Sequence, residues 1–420
     1  MTFRTEADIL AYERVPVGER LLLRNVLDLL QDSAARHANR VAIRSLAGTG
    51  PNDPARDITY AELLKRTIQT ANVLAAHGIG PGDTVTILLP SVPETFYALW
   101  GAEIAAIANP VNYFLNASQI AGIMKEAGSR ALIAADPSLF ADIWPKVEEI
   151  RKAIPGLAVF RVGGGNRNEV GIFEFERELS VQPDDSLIAP KKLERDTVAA
   201  LFHTGGTTGL PKLARHTHGA LALAAWSNAL NFGLEAEHVL INPLPQFHVG
   251  GSIFGALSPI ANGWTVVIPT PLGARNPNVV RDWWSLVERN KVTIAGAVPT
   301  TLAAIMNVPR DGHDLSSLKC FVSGGSTVPV ELIRRIEAEL KVPVIEGYGI
   351  TECSPAIALT VPGKNMHGTV GVPLPEVEVC VTDLDTGEVL PRGKTGMLNV
   401  HGPNVFPGYI AHDGPSPFRD

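Results

Sequence analysis

Hydrophobic and polar positions along the chain fall into two rhythms, and the switches between them mark out the elements. Thr59-Tyr60-Ala61-Glu62 has the form of a capping box, and Gly78 stands where a glycine would end the helix it opens. The turn Gly80-Pro81-Gly82-Asp83 leads into an apolar strand over 84–89. Pro93 opens a helix predicted to run to about 108. Another helix, over about 117–127, ends at Gly128 before a strand over 131–135. Short apolar strands between longer helices argue for βαβ units and a parallel sheet.

Residues 154–196 are less regular, with Gly163-Gly164-Gly165, Pro183 and mixed charges, and read as a surface excursion. The alternation then resumes, with strands predicted over 239–241, 265–268, 292–295, 320–323 and 342–346. From about 362 the texture changes to VGVPLPEVEVCVTD and MLNVHG, β-like runs between Gly and Pro turns with no helix signal. The pattern therefore predicts an α/β chain of two doubly wound βαβ subdomains, over 1–200 and 201–361, followed by a small β unit over 362–420.

One stretch organises the rest. In VAALFHTGGTTGLPKLARHTH (198–218) an apolar strand ends at Phe202, and Thr204, Gly205, Gly206, Thr207, Thr208 and Gly209 form a loop before Pro211-Lys212. Thr217 is placed to cap a following helix. Glycines let backbone N–H groups turn toward an anion, threonine hydroxyls add donors, and the lysine adds charge. A plain hairpin turn needs none of this doubling of Gly and Thr. A kinase-type or GTPase-type P-loop is excluded by context, because Pro211 precedes Lys212 and Leu213 follows it. No hydroxyl sits beside that lysine to hold Mg²⁺.

Composition narrows the picture further. The 420 residues carry a net charge of −7, with no Lys/Arg-rich run, so nucleic acid is not an expected partner. Cys320, Cys353 and Cys380 lack metal or disulfide spacing, which fits a reducing compartment. The start, MTFRTEADILAYER, is charged too early for a signal peptide, and no apolar run approaches a membrane span. A cytoplasmic protein is expected.

Three more constellations carry chemistry. Ser323-Gly324-Gly325-Ser326 follows a predicted strand, and Glu346-Gly347-Tyr348-Gly349-Ile350-Thr351-Glu352 follows the next. Ligands collect at such strand ends in doubly wound sheets. Tyr348 offers a ring face for a nucleobase, Thr351 a hydroxyl, and Glu352 a hard oxygen for Mg²⁺. Taken singly, Tyr348 reads more readily as a core aromatic and Glu352 as a charge at a helix start. The third is Leu244-Pro245-Gln246-Phe247-His248-Val249-Gly250-Gly251, where a lone His after an aromatic is ordinarily structural.

TGGTTGLPK resembles the signature loop of the adenylate-forming enzymes, a superfamily that includes acyl-CoA synthetases, luciferase and peptide-synthetase adenylation domains. YGITE resembles the same family's Tyr-Gly-x-Thr-Glu motif, and Gly396-Met397-Leu398, Gly402-Pro403 and Gly408-Tyr409 resemble its later Gly-Glu-Leu, Arg-Gly-Pro and Gly-Tyr segments. Met397 stands where Glu is usual, His401 where Arg is common, Gly205 where many members carry Ser, and Leu213 where Gly is common.

The resemblance implies two doubly wound subdomains with a small distorted β-barrel, and an ATP-dependent acid–thiol ligase. A carboxylic acid and ATP would give an acyl-adenylate and pyrophosphate, and CoA would then take the acyl group as a thioester. It assigns Thr204, Gly205, Gly206, Thr207, Thr208, Gly209 and Lys212 to phosphate binding. Gly324, Gly325, Ser326, Gly347, Tyr348 and Gly349 fall to adenine, with Glu346 near its amino group. Thr351 would contact the α-phosphate, Glu352 would hold Mg²⁺, and His248 would orient the reacting groups. The acid would lie against His248, Val249, Gly250 and Gly251, together with Trp226, Ala297 and Val298. Fatty, aryl and short-chain acids all suit so uncharged a pocket. The family continues beyond the position of Asp420 into a mobile C-terminal domain, so slow turnover is expected of these residues alone. Adenylation for a carrier protein, or a nucleotide- or acyl-binding fragment with little turnover, are the alternatives.

Overall fold

Two mostly parallel sheets carry the chain. The computed structural model describes residues 6–164, 169–190, 192–205, 211–230, 232, 237–310, 312–361, 366–410 and 418. One sheet has seven strands in the order Ile172–Glu174, Ala158–Val162, Ser129–Ala135, Thr84–Leu88, Ile107–Pro110, Val198–His203 and Leu213–Thr217. Its pairs are parallel except the last, an antiparallel hairpin. The other has nine, in the order Val372–Pro373, Ala356–Leu359, Val344–Gly349, Cys320–Gly324, Ile294–Gly296, Val239–Ile241, Thr265–Ile268, Val41–Leu46 and Ala55–Thr59. Parallel pairing runs from Val344–Gly349 through to Val41–Leu46, with antiparallel strands at both edges.

Most predicted elements are present, and the differences have physical causes. The helix opened by Pro93 ends at Ala105, and Ile107–Pro110 is a strand. Its apolar residues fit either state, and pairing beside Thr84–Ile87 decides the matter. The supposed excursion over 154–196 contains the strand Ala158–Val162, of which all but the first residue are buried, and the strand Ile172–Glu174. A strand covered on both faces has no alternation to read.

The sheets do not divide at residue 200. Val198–His203 spans that point within the seven-stranded sheet, while Val41–Leu46 crosses to the nine-stranded one and pairs Ile43 with Val266. After 366, Glu378–Thr382 and Met397–His401 form a two-stranded antiparallel sheet, whereas Val372–Pro373 extends the large sheet.

Three large buried clusters hold these layers. The largest wraps the seven-stranded sheet and the helices Tyr60–Ala76 and Pro93–Ala105. The other two cover the nine-stranded sheet, one around Trp283, Trp284 and Phe321, the other around Trp264, Leu240 and Ile345. Among the described residues, no helix is long and apolar enough to cross a membrane.

The packing of Tyr60–Ala76 against Pro93–Ala105 is tight because Gly101 faces Thr70. A Cβ at 101 would lie 2.5 Å from the Thr70 Cβ and 2.9 Å from the Thr67 carbonyl. Gly101→Ala is therefore expected to destabilise the fold by about 1–3 kcal/mol in urea titrations. An unchanged midpoint and slope would show that the helices separate freely.

Candidate active site

The proposed phosphate loop is framed by the hairpin that the sequence reading set beside it as an alternative. Leu213–Thr217 is a strand, pairing His203 with Leu213 and Leu201 with Arg215. The Thr204 amide donates to the Lys212 carbonyl at 2.9 Å and closes the frame. Gly206, Thr207, Thr208 and Gly209 lie outside the described residues. The Thr217 hydroxyl accepts from the Ala220 amide at 3.2 Å and caps the helix His218–Leu230.

Adjacent strand ends of the nine-stranded sheet supply a flat platform. Ser323 lies beside Glu346 and Gly324 beside Gly347. A Cβ on Gly324 would stand 2.5 Å from the Gly347 carbonyl, so this close approach requires glycine. Gly325, at φ +79°, turns the chain away, with Gly325 and Ser326 exposed. Tyr348 is exposed at 36%, which removes the core-aromatic reading. Glu346 is buried, and that burial raises its pKa. Its backbone is pinned in both directions by Thr360, at 2.8 Å to the hydroxyl and 2.9 Å from the amide.

Thr351 and Glu352 occupy a 3₁₀ turn, Thr351–Cys353, that follows the strand Val344–Gly349. Ser354 closes the turn in the left-handed region at φ +58°. Its hydroxyl meets the Nδ1 of His216 at 2.8 Å, and His216 is wholly buried on the hairpin of the other sheet. Burial pushes the His216 pKa down to about 3. The chain over 406–410 binds both sides: the Phe406 amide donates to the Glu352 carbonyl at 2.9 Å, and the Ile410 amide to the Leu213 carbonyl at 3.0 Å.

His248 lies just before a π-helix, Gly250–Leu257, an element that recurs at functional sites. The Gly250 amide donates to His248 Nδ1 at 3.0 Å, which leaves the ring proton on Nε2. His248 is exposed, and the protein packed against one side of the ring lowers its pKa, which favours the neutral form. Asn242 donates to the carbonyls of Gly251 and Gly255, each at 3.0 Å, and holds the π-helix open. A Cβ on Gly251 would meet the Pro245 carbonyl at 2.2 Å, so glycine is there for packing. Phe247 stacks with His203 at 6.0 Å and meets Tyr113 edge-on at 5.5 Å.

The proposed acyl residues are not all brought together. Val249 is buried in the core of the seven-stranded sheet, and Ala297 is buried where its carbonyl takes the Ser323 hydroxyl at 2.9 Å. Val298 is exposed at the start of the helix Pro299–Ile305. Trp226 belongs to a separate small cluster with Ile9 and Leu230, stacked on Tyr12 at 5.7 Å. Arg20 lies 5.6 Å from that ring, so Trp226 anchors the N-terminal arm.

Sequence reasoning passed over His203, the last residue of the strand before the loop. The Asn112 amide donates to its Nε2 at 3.2 Å. Burial, with nearby His248 adding to it, lowers its pKa to about 4. Its only signal in the sequence is its place at a strand end. Among the described residues no three His, Cys, Asp or Glu side chains gather to hold a metal. Glu352 alone fits Mg²⁺, which is bound by one or two carboxylates with substrate phosphates and water.

Known proteins are similar to this chain over most of its length. The family model described as AMP-binding enzyme matches residues 30–410. The marinolic acid–CoA ligase of Pseudoalteromonas sp. (strain SANK 73390) is 31% identical, with 97% of this chain and 63% of that protein covered. The feruloyl-CoA synthase of Amycolatopsis sp. is 31% identical over 84% of this chain and 66% of its own length. The crystal structure of the anthranilate CoA ligase AuaEII in complex with anthranoyl-AMP superposes with a TM-score of 0.81 at 26% identity, covering 92% of this chain and 71% of that one. The chain thus spans about two thirds of the length of the curated relatives it matches, 63% and 66% in these two.

The His216–Ser354 link predicts a pH dependence. Unfolded, this imidazole takes a proton near 6.5, and folded only near about 3, so acid favours the unfolded chain between those values. Stability should hold above pH 7 and fall as pH drops from 6.5 toward 4. His216→Gln should make that slope shallower, by at most about 1.4 kcal/mol per pH unit. Identical slopes in urea unfolding from pH 7 to 4 would contradict it.

Proposed function

The chain belongs to the AMP-binding enzyme family, and we propose that it carries the adenylating site of an ATP-dependent acyl-CoA synthetase. The observation that carries this reading is a convergence at strand ends. Lys212 and the framed Gly/Thr loop come from one sheet, and the glycine-paired platform, Tyr348 and Glu352 come from the other.

A carboxylate oxygen attacks the α-phosphorus of ATP in line. As that P–O bond forms, the bond to the bridging oxygen of pyrophosphate breaks, leaving an acyl-adenylate. The thiol of CoA then attacks the acyl carbonyl, and AMP departs. Such chemistry depends on positioning and charge neutralisation. Lys212 and Thr204, with Gly205 and the loop after it, hold the β- and γ-phosphates, and Thr351 meets the α-phosphate. Tyr348 stacks on adenine above Gly324–Ser326 and Gly347, with Glu346 near the amino group. Magnesium bound at Glu352 with the nucleotide would neutralise charge on the phosphate oxygens. His248, neutral with its proton on Nε2, orients the acid's carboxylate as a donor and adds no charge to the pocket.

Phe247, Tyr113 and Val249 make the surroundings of His248 apolar and aromatic, which favours fatty or aryl acids over dicarboxylates. Among the matched relatives are a feruloyl-CoA synthase and a long-chain-fatty-acid–CoA ligase. A cytoplasmic setting belongs to the same reading, and the unpaired Cys320, Cys353 and Cys380 support it.

Exchange of labelled pyrophosphate into ATP, run over a panel of acids, tests the proposal. Acid-dependent exchange is expected, at a slow rate for the 420 residues alone, and strongest with an aryl or fatty acid. Glu352→Gln should lower it by roughly 10²-fold, the scale of removing one electrostatic stabiliser. No exchange with any acid, by this chain or by one extended to its relatives' full length, would overturn it.

A further inference from the structure

Between the lysine of the loop and the carboxylate of the turn stands a residue with no role so far. The Lys212 ammonium lies 5.0 Å from the centre of the Tyr409 ring, over its face. The Tyr409 hydroxyl donates to Glu352 Oε1 at 2.5 Å. One phenol thus engages both charged groups at once, through a cation–π contact and a charge-assisted hydrogen bond.

The backbone fixes Tyr409 in that gap from both sides. Ala214 and Tyr409 form an antiparallel bridge, and the Ile410 amide donates to the Leu213 carbonyl at 3.0 Å. Arg215 clamps the preceding residues, with Nε on the Gly408 carbonyl at 3.1 Å and Nη2 on that of Pro407 at 2.7 Å. The Phe406 amide ties the same segment to the Glu352 carbonyl. The Phe406 ring packs edge-on against Tyr409 at 4.8 Å.

A lysine and a glutamate both within reach of one ring attract each other, and a direct pair would neutralise the two groups that the nucleotide needs. We propose that Tyr409 is a positioning residue of the nucleotide site. Its ring and hydroxyl satisfy Lys212 and Glu352 separately, so that neither closes on the other and both stay open to phosphate and metal. The inference rests on the nucleotide reading above, and it makes Tyr409 act through Glu352 and Lys212 rather than on the reacting atoms.

Binding separates the possibilities. ATP binding to the wild-type chain, Tyr409→Phe, Glu352→Gln and the double variant is measured by calorimetry with and without Mg²⁺. Tyr409→Phe keeps the ring and removes the hydroxyl. Its dissociation constant with Mg²⁺ should rise roughly ten- to hundredfold, the scale of a hydrogen bond to a charged group. Without Mg²⁺ the change should be smaller, and the melting temperature should stay near the wild-type value. In the Glu352→Gln background the same substitution should add less than about twofold, because the two residues act as one unit. An unchanged constant in Tyr409→Phe, or an equal loss in both backgrounds, would overturn the proposal while leaving the nucleotide reading intact. A wild-type chain that binds no ATP would overturn both.

Discussion

A buried hydrogen bond joins the two halves of the site. His216 sits on the edge strand of the seven-stranded sheet, and its Nδ1 meets the hydroxyl of Ser354 at 2.8 Å. Ser354 closes the turn that carries Thr351 and Glu352 at the end of the nine-stranded sheet. Strands within a sheet are held by many ladder bonds, but nothing in a ladder sets one sheet against another. This contact and the segment 406–410 laid across both, together with the shared apolar core, set the loop lysine against the turn carboxylate. His216 is affordable there only as a neutral ring, since an imidazolium so deeply buried would lack solvation.

Neutrality is a theme around His248, on the proposed acyl side, as well. His203 and His248 stand near each other, and burial pushes both away from their charged forms. Hydrogen bonds from backbone amides, Asn112 to one ring and Gly250 to the other, fix which nitrogen carries the proton. Arg275, 4.1 Å over the Phe114 ring, is the cation beside these imidazoles and aromatic edges. The other charged groups of the site gather where the triphosphate is proposed to lie. Burial of Glu346 adds to that division by favouring its uncharged form beside the strand ends proposed for adenine.

Local chemistry was legible in the sequence, and long-range pairing was not. The Gly/Thr loop, the glycine pair at 324 and 347, and the Tyr348–Glu352 string announce themselves because each residue type answers a local need, for close approach, a ring face or a hard oxygen. The cap at Thr217 and the helix ending near Gly128 are local in the same way. Ile107–Pro110 and Ala158–Val162 escaped notice because a strand buried on both faces shows no alternation. The sheets do not follow the division at 200, because Val41–Leu46 finds its partner more than two hundred residues away, at Thr265–Ile268. Trp226 and Tyr12 are likewise distant in sequence, and no spacing rule links them. His203 and Tyr409 gained their meaning only when the fold placed Phe247 beside one and Glu352 beside the other.

A crystal structure of the chain with a non-hydrolysable ATP analogue and Mg²⁺ measures the shared seat most directly. Adenine between Tyr348 and the backbone of 324–326, phosphates at Thr204 and Lys212, and the metal on Glu352 is the expected result. Nucleotide bound elsewhere, or touching the strand ends of one sheet alone, would contradict a site assembled from both.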